Sequence, residues 1–385
     1  MKFLGYRRSN GKIGVRNHVL VFPTVICAAA VAEMIAREVP GTVFLGHQHG
    51  CGHLGEERDH MIRAMVGSCS NPNVAGVLLV GLGCEMLTAE LLGEKLREAG
   101  QRVETITTQA LQGTAEAIVK GAELAQKLLE EAKSVRREPA EVSKLTVAAK
   151  CGASDTLSGL TANPATGVAC DILIGEGGRA IFTETPEMLG AEHILAKRAA
   201  DEGVRRRIWE ITSRTDERIK AMGLDIREAE PGPGNIEAGL TTLAEKSLGA
   251  IRKGGTTPIV EVVDYAQEPS RKGLVIMDGP AHDVVSVTGM VAAGAQIVVF
   301  TTGIGTPVGS PIAPVIKVSS NSALYGRWKG NIDLNAGAIL DGQETLDTMG
   351  QRIFQEILDV ASGKLTKAET LGHREFAIHT IAPTV

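Results

Sequence analysis

Short apolar runs alternate with longer helical patterns along the first third of the chain, and this alternation constrains the fold most. Residues 18–23 (HVLVFP), 42–45, 74–80 and 103–107 read as strands. Between them lie the Ala-rich segment 27–38, a stretch opening near Glu56, and 88–98. Strand, helix, strand in succession builds a parallel sheet with helices on both faces. A long polar helix is expected over 114–133, and the charged run that follows it reads as a linker. A second unit opens on a strand at 145–149 and continues through strands at 179–182, 273–277, 296–300 and 315–318. Helices are expected from 186 to 222, with breaks, and over 344–361, while Pro231-Gly232-Pro233-Gly234 interrupts the pattern. The fold expected is α/β: two Rossmann-like domains with mainly parallel sheets, at 1–135 and 145–385, joined by a linker at 136–144.

Composition narrows the class of function. A chain of 385 residues is too long for one ordinary core. Aromatic residues make up only 3%, which argues against stacking platforms for single-stranded nucleic acid. A net charge of −5 gives no electrostatic case for a nucleic-acid partner. The longest apolar runs are strand-sized, and the opening residues lack the apolar core of a secretory leader, so no membrane role and a cytoplasmic location are expected. In that compartment the six cysteines stay reduced, which favours metal ligation or core packing over disulfides.

In open parallel sheets functional groups gather at the carboxyl ends of strands. Cys51 sits there within His47-Gln48-His49-Gly50-Cys51-Gly52-His53, Cys84 precedes Glu85 after a strand, and Cys151 ends another. Each is flanked by glycine, which lets backbone approach a bound group closely. Thiolate and imidazole suit iron and zinc. Three cysteines can hold an iron–sulfur cluster with one open iron, and a smaller set with His47, His49 or Glu85 can hold a single metal ion; packing is the alternative for each cysteine. Cys27, Cys69 and Cys170 read as packing residues, and His60 and His193 as structural ones.

The run KCGASDTLSGLTANP follows a strand directly. Its Ser154, Asp155, Ser158 and Asn163 can bind hydroxyls and carboxylate of a polar ligand, and Lys150 can serve as cation or base; turns and helix caps use the same residues. Glu184 and Glu187 flank the next strand end, where one carboxylate can act as base or metal ligand. His282, after the strand at 273–277, is the histidine best placed to act as acid or base. Thr302 and Gly303 open a turn suited to anions, but Pro307 and Pro311 exclude the helix a dinucleotide site needs. No P-loop is present, so neither NAD nor ATP is expected.

Taken together, GYRRSNGKIGVRNHVLV, HQHGCGHLGEE, VLLVGLGCE, KCGASDTLSGLTANPATG, FTETPEMLGAEH, GNIEAGLTTLAEKSLG and the stretch from MDGPAHD to FTTGIGTP resemble the altronate/galactarate dehydratase family, and they run in that family's order over nearly the whole chain. The family also includes the large subunit of (2R)-sulfolactate sulfo-lyase. The resemblance implies a lyase that uses iron(II) or a similar divalent metal. It turns a sugar acid into a 2-keto-3-deoxy acid or, in the sulfo-lyase, releases sulfite and pyruvate. A metal of this kind, on that implication, would ligate the substrate's carboxylate and α-hydroxyl and supply Lewis-acid stabilisation of the charge that develops as the C2 proton leaves. The resemblance further implies a separate small β-rich subunit; an oligomer is expected, and position at the strand ends places a metal near Cys51, Cys84 and Cys151 with His47, His49 and Glu85 as ligands or neighbours. Lys150, Glu184 and His282 are then the candidates for proton transfer, with Ser154, Asp155, Ser158, Asn163, Thr302 and Gly303 on the substrate. Where many relatives carry Gly-Arg-Gly this chain has Gly303-Ile304-Gly305, which bears on the substrate's second acidic group. A non-catalytic protein that binds an acidic ligand is the rival from another class.

Overall fold

A computed structural model describes residues 1–385. The alternation of strand and helix produces two parallel sheets, with a small antiparallel one beside them. The larger has seven strands in the order Ile259–Val263, Gly273–Met277, Arg179–Phe182, Thr146–Cys151, Ile297–Thr302, Val315–Ser319 and Leu334–Asn335, every pair parallel. Its central strands TVAAKC and IVVFTT are buried along their whole length, as a sheet covered on both faces requires. The chain moves outward from Thr146–Cys151 on one side, then returns to Ile297–Thr302 on the other. That reversal opens a crevice at the carboxyl ends of these two strands.

The smaller sheet has the order Thr42–Phe44, His18–Pro23, Val74–Gly81 and Val103–Thr107, again all parallel. Its reversal lies between His18–Pro23 and Val74–Gly81, so a second crevice opens above Pro23 and Gly81. The sheets share a core. Helices Gly55–Cys69 and Asp283–Ala292 pack so closely that a Cβ on Gly67 would stand 2.4 Å from the Ala292 carbonyl oxygen. One apolar cluster runs from Leu20 and Phe22 of the smaller sheet to Val298 and Phe300 of the larger.

Residues 136–144, expected as a linker, contain a strand. Glu138–Glu141 pairs antiparallel with the opening strand Lys2–Arg7, and Arg7 pairs with Glu138. Arg137 donates to the carbonyls of Leu4, Val15 and Ala361. The charges that suggest a solvated tether belong to an exposed ribbon, where charged side chains also discourage further pairing. After the helix Lys367–Thr370 the chain runs without regular structure across both units. There the Glu57 carboxylate accepts from Ile381 and Ala382 N–H, and Gly52 O accepts from Val385 N–H at 3.0 Å.

Candidate active site

Lys150 and Cys151 end the strand at the larger crevice. The Lys150 ammonium, fully buried, donates to the Glu184 carboxylate and the Cys151 carbonyl, and it lies 2.8 Å from Asp283 Oδ1. Asp283 reaches it because the neighbouring residue is glycine: a Cβ on Gly152 would meet Asp283 Oδ1 at 2.5 Å. Glu184 follows the next strand with φ +83, a left-handed conformation that a side chain other than glycine's rarely adopts. Flanking bonds hold it there: Thr183 Oγ donates to Met277 O, Thr185 N–H to Gly279 O, and Thr185 Oγ to Asp278. Residues Thr185–Met188 form a 3-10 turn, in which positions three apart lie over one another, and Glu187 so comes to the side of Glu184.

Two further lysines close the cluster. Lys253, on the 3-10 turn Ile251–Gly254, places Nζ 2.9 Å from Glu184 Oε2 and 3.1 Å from Cys151 Sγ. This turn packs against the helix Ala162–Gly175 at Gly167, where a Cβ would meet the Arg252 carbonyl at 2.3 Å. Lys246, on the helix Leu243–Ala250, places Nζ 3.2 Å from Glu187 Oε1 and 2.6 Å from Glu230 Oε2. Cys151 Sγ lies 3.3 Å from Glu187 Oε2.

These surroundings push the two glutamates apart. Burial opposes the charge on Glu184, but Lys150 and Lys253 outweigh it and hold the carboxyl below its ordinary range. Burial and the neighbouring Glu184 charge raise Glu187, against the pull of Lys246. Burial likewise raises the Cys151 thiol, reinforced by both glutamates, so it is held as a thiol. On Lys150 the carboxylates Glu184, Asp283 and Glu187 outweigh burial and raise its pKa, which makes it a permanent cation. Lys253 and Lys246 are raised for the same reason. Divergent shifts in adjacent carboxyls separate an acid from a charge-bearing group.

A pocket of about 560 Å³ opens over this cluster. Glu187, Lys246 and Asp283 line it with Ser154, Asn235, His282 and Ile304, while Lys150, Glu184 and Lys253 lie beneath the surface. Ligand atoms of Cys151, Glu184 and Glu187 lie within 4.8 Å of one another, a set that could hold a metal ion. In this arrangement the same atoms already face ammonium groups, Lys253 on Cys151 and Glu184, Lys246 on Glu187. A divalent ion would meet those like charges at close range, so the cluster as arranged does not fit one.

The remaining residues singled out in the sequence separate into two groups. His47, His49, Cys51, Cys84 and Glu85 surround the crevice of the smaller sheet, whereas Cys151 belongs to the larger. Their loops touch there, Leu87 N–H donating to Gly50 O. Glu85 accepts from Thr24 Oγ and from Leu82 and Gly83 N–H, and His47 has one ring nitrogen on Pro23 O and the other on His49 N–H. Both side chains are internally engaged, while Cys51 and Cys84 are exposed. Asp155, Ser158, Asn163, Thr302 and Gly303 lie at the larger crevice but bond mainly to one another's loops. Asp155 accepts from Ser158, Ser320 and Asn321; Asn163 accepts from Thr301 and donates to Gly249 O; Thr302 Oγ accepts from Gly305 N–H. The N–H groups of Gly303 and Ile304 both point to Ala153 O, so this turn offers no open anion cradle. Cys69 and Cys170 are buried as packing residues should be, but Cys27 is exposed.

Sequence reasoning missed Lys246, Lys253 and Asp283. One signal was available for Lys246, which falls on the buried stripe of its helix with Leu243, Ser247 and Ala250. A lysine on an apolar stripe needs a buried partner.

Comparison with known proteins agrees with this layout. Residues 142–384 match the D-galactarate/altronate dehydratase C-terminal family, and residues 5–133 match the D-galactarate dehydratase/altronate hydrolase second domain. Altronate dehydratase of Bacillus subtilis is 37% identical over 98% of this chain and 77% of its own length. The (2R)-sulfolactate sulfo-lyase subunit beta of Chromohalobacter salexigens is 38% identical over 98% of this chain and 96% of its own length. Galactarate dehydratase (L-threo-forming) of Escherichia coli is 37% identical over 99% of this chain and 77% of its own length. With both matched regions covering the two sheets in order, the chain belongs to the D-galactarate/altronate dehydratase family.

Proposed function

We propose that this chain is a carbon–oxygen lyase that dehydrates a sugar acid, such as altronate or galactarate, to its 2-keto-3-deoxy acid. The observation that carries this reading is Glu187, a carboxyl pushed toward its protonated form beside the Lys246 ammonium on the floor of the pocket. Lys246 holds the substrate carboxylate. His282 takes the C2 proton on Nδ1, the ring nitrogen without hydrogen, which exchanges its long 3.5 Å contact with Val285 N–H for the substrate. Glu187 gives its proton to the departing C3 hydroxyl, so the C3–O bond breaks with release of water. The enol then takes a proton at C3 and becomes the 2-keto acid. Lys150, Lys253 and Glu184 supply the fixed charge beneath, and Lys150 takes the part of cation, not base.

Elimination of sulfite from sulfolactate is the second reading, favoured by the near-complete coverage of the sulfo-lyase subunit. Sulfite leaves without an acid, so that reading makes Glu187 dispensable. The test is keto-acid formation by anaerobically purified protein from a panel of aldonic acids, aldaric acids and sulfolactate. It runs with and without ferrous iron and a small partner subunit, because the family resemblance implies both. Turnover of a sugar acid with release of water supports the dehydratase, and sulfite release replaces it with the sulfo-lyase. Ligand binding without turnover across the panel would overturn both.

A further inference from the structure

A second cavity lies apart from this pocket. It measures about 770 Å³ and lies between the two units, walled by the helix Gly55–Cys69, the helix Glu202–Ala221 and the irregular C-terminal segment. Arg207, Arg214 and Arg218 line it from one face of their helix, and Arg63 faces it from the other unit. Arg207 is paired with Asp264, and Arg214 with Asp278. Arg63 donates to Tyr265 O at 2.7 Å and approaches the His60 ring, but touches no carboxylate. Arg218 is exposed and has no carboxylate partner. The His60 and His379 rings, 5.6 Å apart, bridge the space between these two arginines.

We infer that this cleft binds a small hydroxylated carboxylic acid and that its occupancy is felt at the candidate active site. Two arginines without carboxylate partners, facing one cavity from opposite walls, are suited to bidentate capture of a carboxylate. Glu56 and Asp59 on the exposed lip disfavour an occupant with several negative charges, and both can accept from hydroxyl groups. One carboxylate with several hydroxyls satisfies both walls.

Coupling follows from the partition between the cavities. Asp278, Gly279 and Pro280 face the cleft, whereas Ala281, His282 and Asp283 face the pocket above the lysine cluster. The start of this segment is pinned to the backbone beside Glu184. Thr185 N–H donates to Gly279 O, Gly279 N–H donates to Thr185 Oγ, and Thr185 Oγ itself donates to Asp278 Oδ1. A carboxylate drawn to the arginine wall competes with Asp278 for Arg214 and so loosens the segment that carries His282 and Asp283. Occupancy of the cleft therefore lowers turnover without competing for the pocket.

The experiment is isothermal titration of the full chain with D-gluconate, alongside propionate (no hydroxyls) and succinate (a second carboxylate). Gluconate is expected to bind saturably and more tightly than either control. Arg218→Ala, at an exposed position, is expected to weaken binding by about tenfold, the loss of one charged hydrogen-bonding partner. Lys246→Met at the pocket should leave this binding in place. In turnover assays gluconate should lower kcat, beyond any competition with substrate for the pocket, and Arg218→Ala should move this effect to about tenfold higher gluconate. No saturable heat in the unmodified chain, or heat unchanged in Arg218→Ala, overturns the inference. Since the titration needs no turnover, its result is separate from that of the proposed reaction.

Discussion

Lys253→Met tests whether the lysine cluster is the built centre of the molecule. The substitution keeps the length and apolar stem of the side chain and removes only the charge. Lys253 Nζ stands 2.9 Å from Glu184 Oε2, and both side chains are no more than 1% exposed. At an effective dielectric constant near 20 that attraction is worth about 6 kcal/mol, and desolvation of the two ions offsets much of it. Removing one partner of a buried pair nevertheless costs roughly 3–5 kcal/mol, because the other charge is left behind. Here Lys150 still compensates Glu184, which places the expected loss near the lower end, about 3 kcal/mol. In a unit of this size that lowers the melting temperature by roughly 6–12 °C. Adding Glu184→Gln to Lys253→Met should recover part of the loss, since the amide does not need the second ammonium. Thermal denaturation followed by circular dichroism measures both. A single variant melting within about 2 °C of the parent would refute the reasoning, because the pair would then be worth less than one surface contact.

Two further outcomes follow from the same cluster. Glu187→Gln should lower kcat for a sugar acid by about a hundredfold, with little change in fold, and abolish the alkaline limb of the kcat profile. The sign is set by the raised carboxyl: the acid is present at low pH and is lost as pH rises through its elevated folded value, and so is the stability it contributes relative to the unfolded chain. Cobalt(II) added to the protein should give no thiolate-to-metal absorption that disappears in Cys151→Ala, because Lys253 and Lys246 already occupy the donors. Such a band, lost in that variant, would show that the ion displaces both ammonium groups.

The strands were readable because a sheet covered on both faces leaves near-continuous apolar runs, as HVLVFP and VAGVLLVG do. The edge strand Ile259–Val263 escaped because three of its five residues are half-buried and no run or alternation survives. Lys150, Cys151 and Glu184 were legible at strand ends, where topology concentrates function. Lys253 was not, since IRKGG reads as an ordinary basic turn. Only the close approach at Gly167 and the left-handed Gly255 show why that turn is pressed into the core. Asp283 was hidden for another reason. It starts a helix, where a carboxylate has a sufficient local explanation, and nothing in the order of residues reveals that Gly152 leaves room for it to reach Lys150.

Both sheets have a reversal of strand order and both gather polar groups there, yet only the larger one collects a buried cluster of lysines and carboxylates. At the smaller sheet Glu85 receives three hydrogen bonds from neighbouring hydroxyl and N–H groups, which satisfies its charge locally and fixes the loops around Cys84. At the larger sheet the charges are compensated by side chains drawn from four separate segments: the strand end at Lys150, the loop at Glu184, the helix at Lys246 and the turn at Lys253. A carboxylate held by its own loop has little further to give. Glu187 is raised by burial and by the Glu184 charge, Glu184 having drawn two of the three ammonium groups, and the third lies at the pocket surface where a substrate carboxylate can compete for it. The left-handed backbone at Glu184 and the 3-10 turn that follows it divide the lysines between the two carboxyls, Lys150 and Lys253 to Glu184 and Lys246 to Glu187, and that division separates the charge-bearing group from the acid.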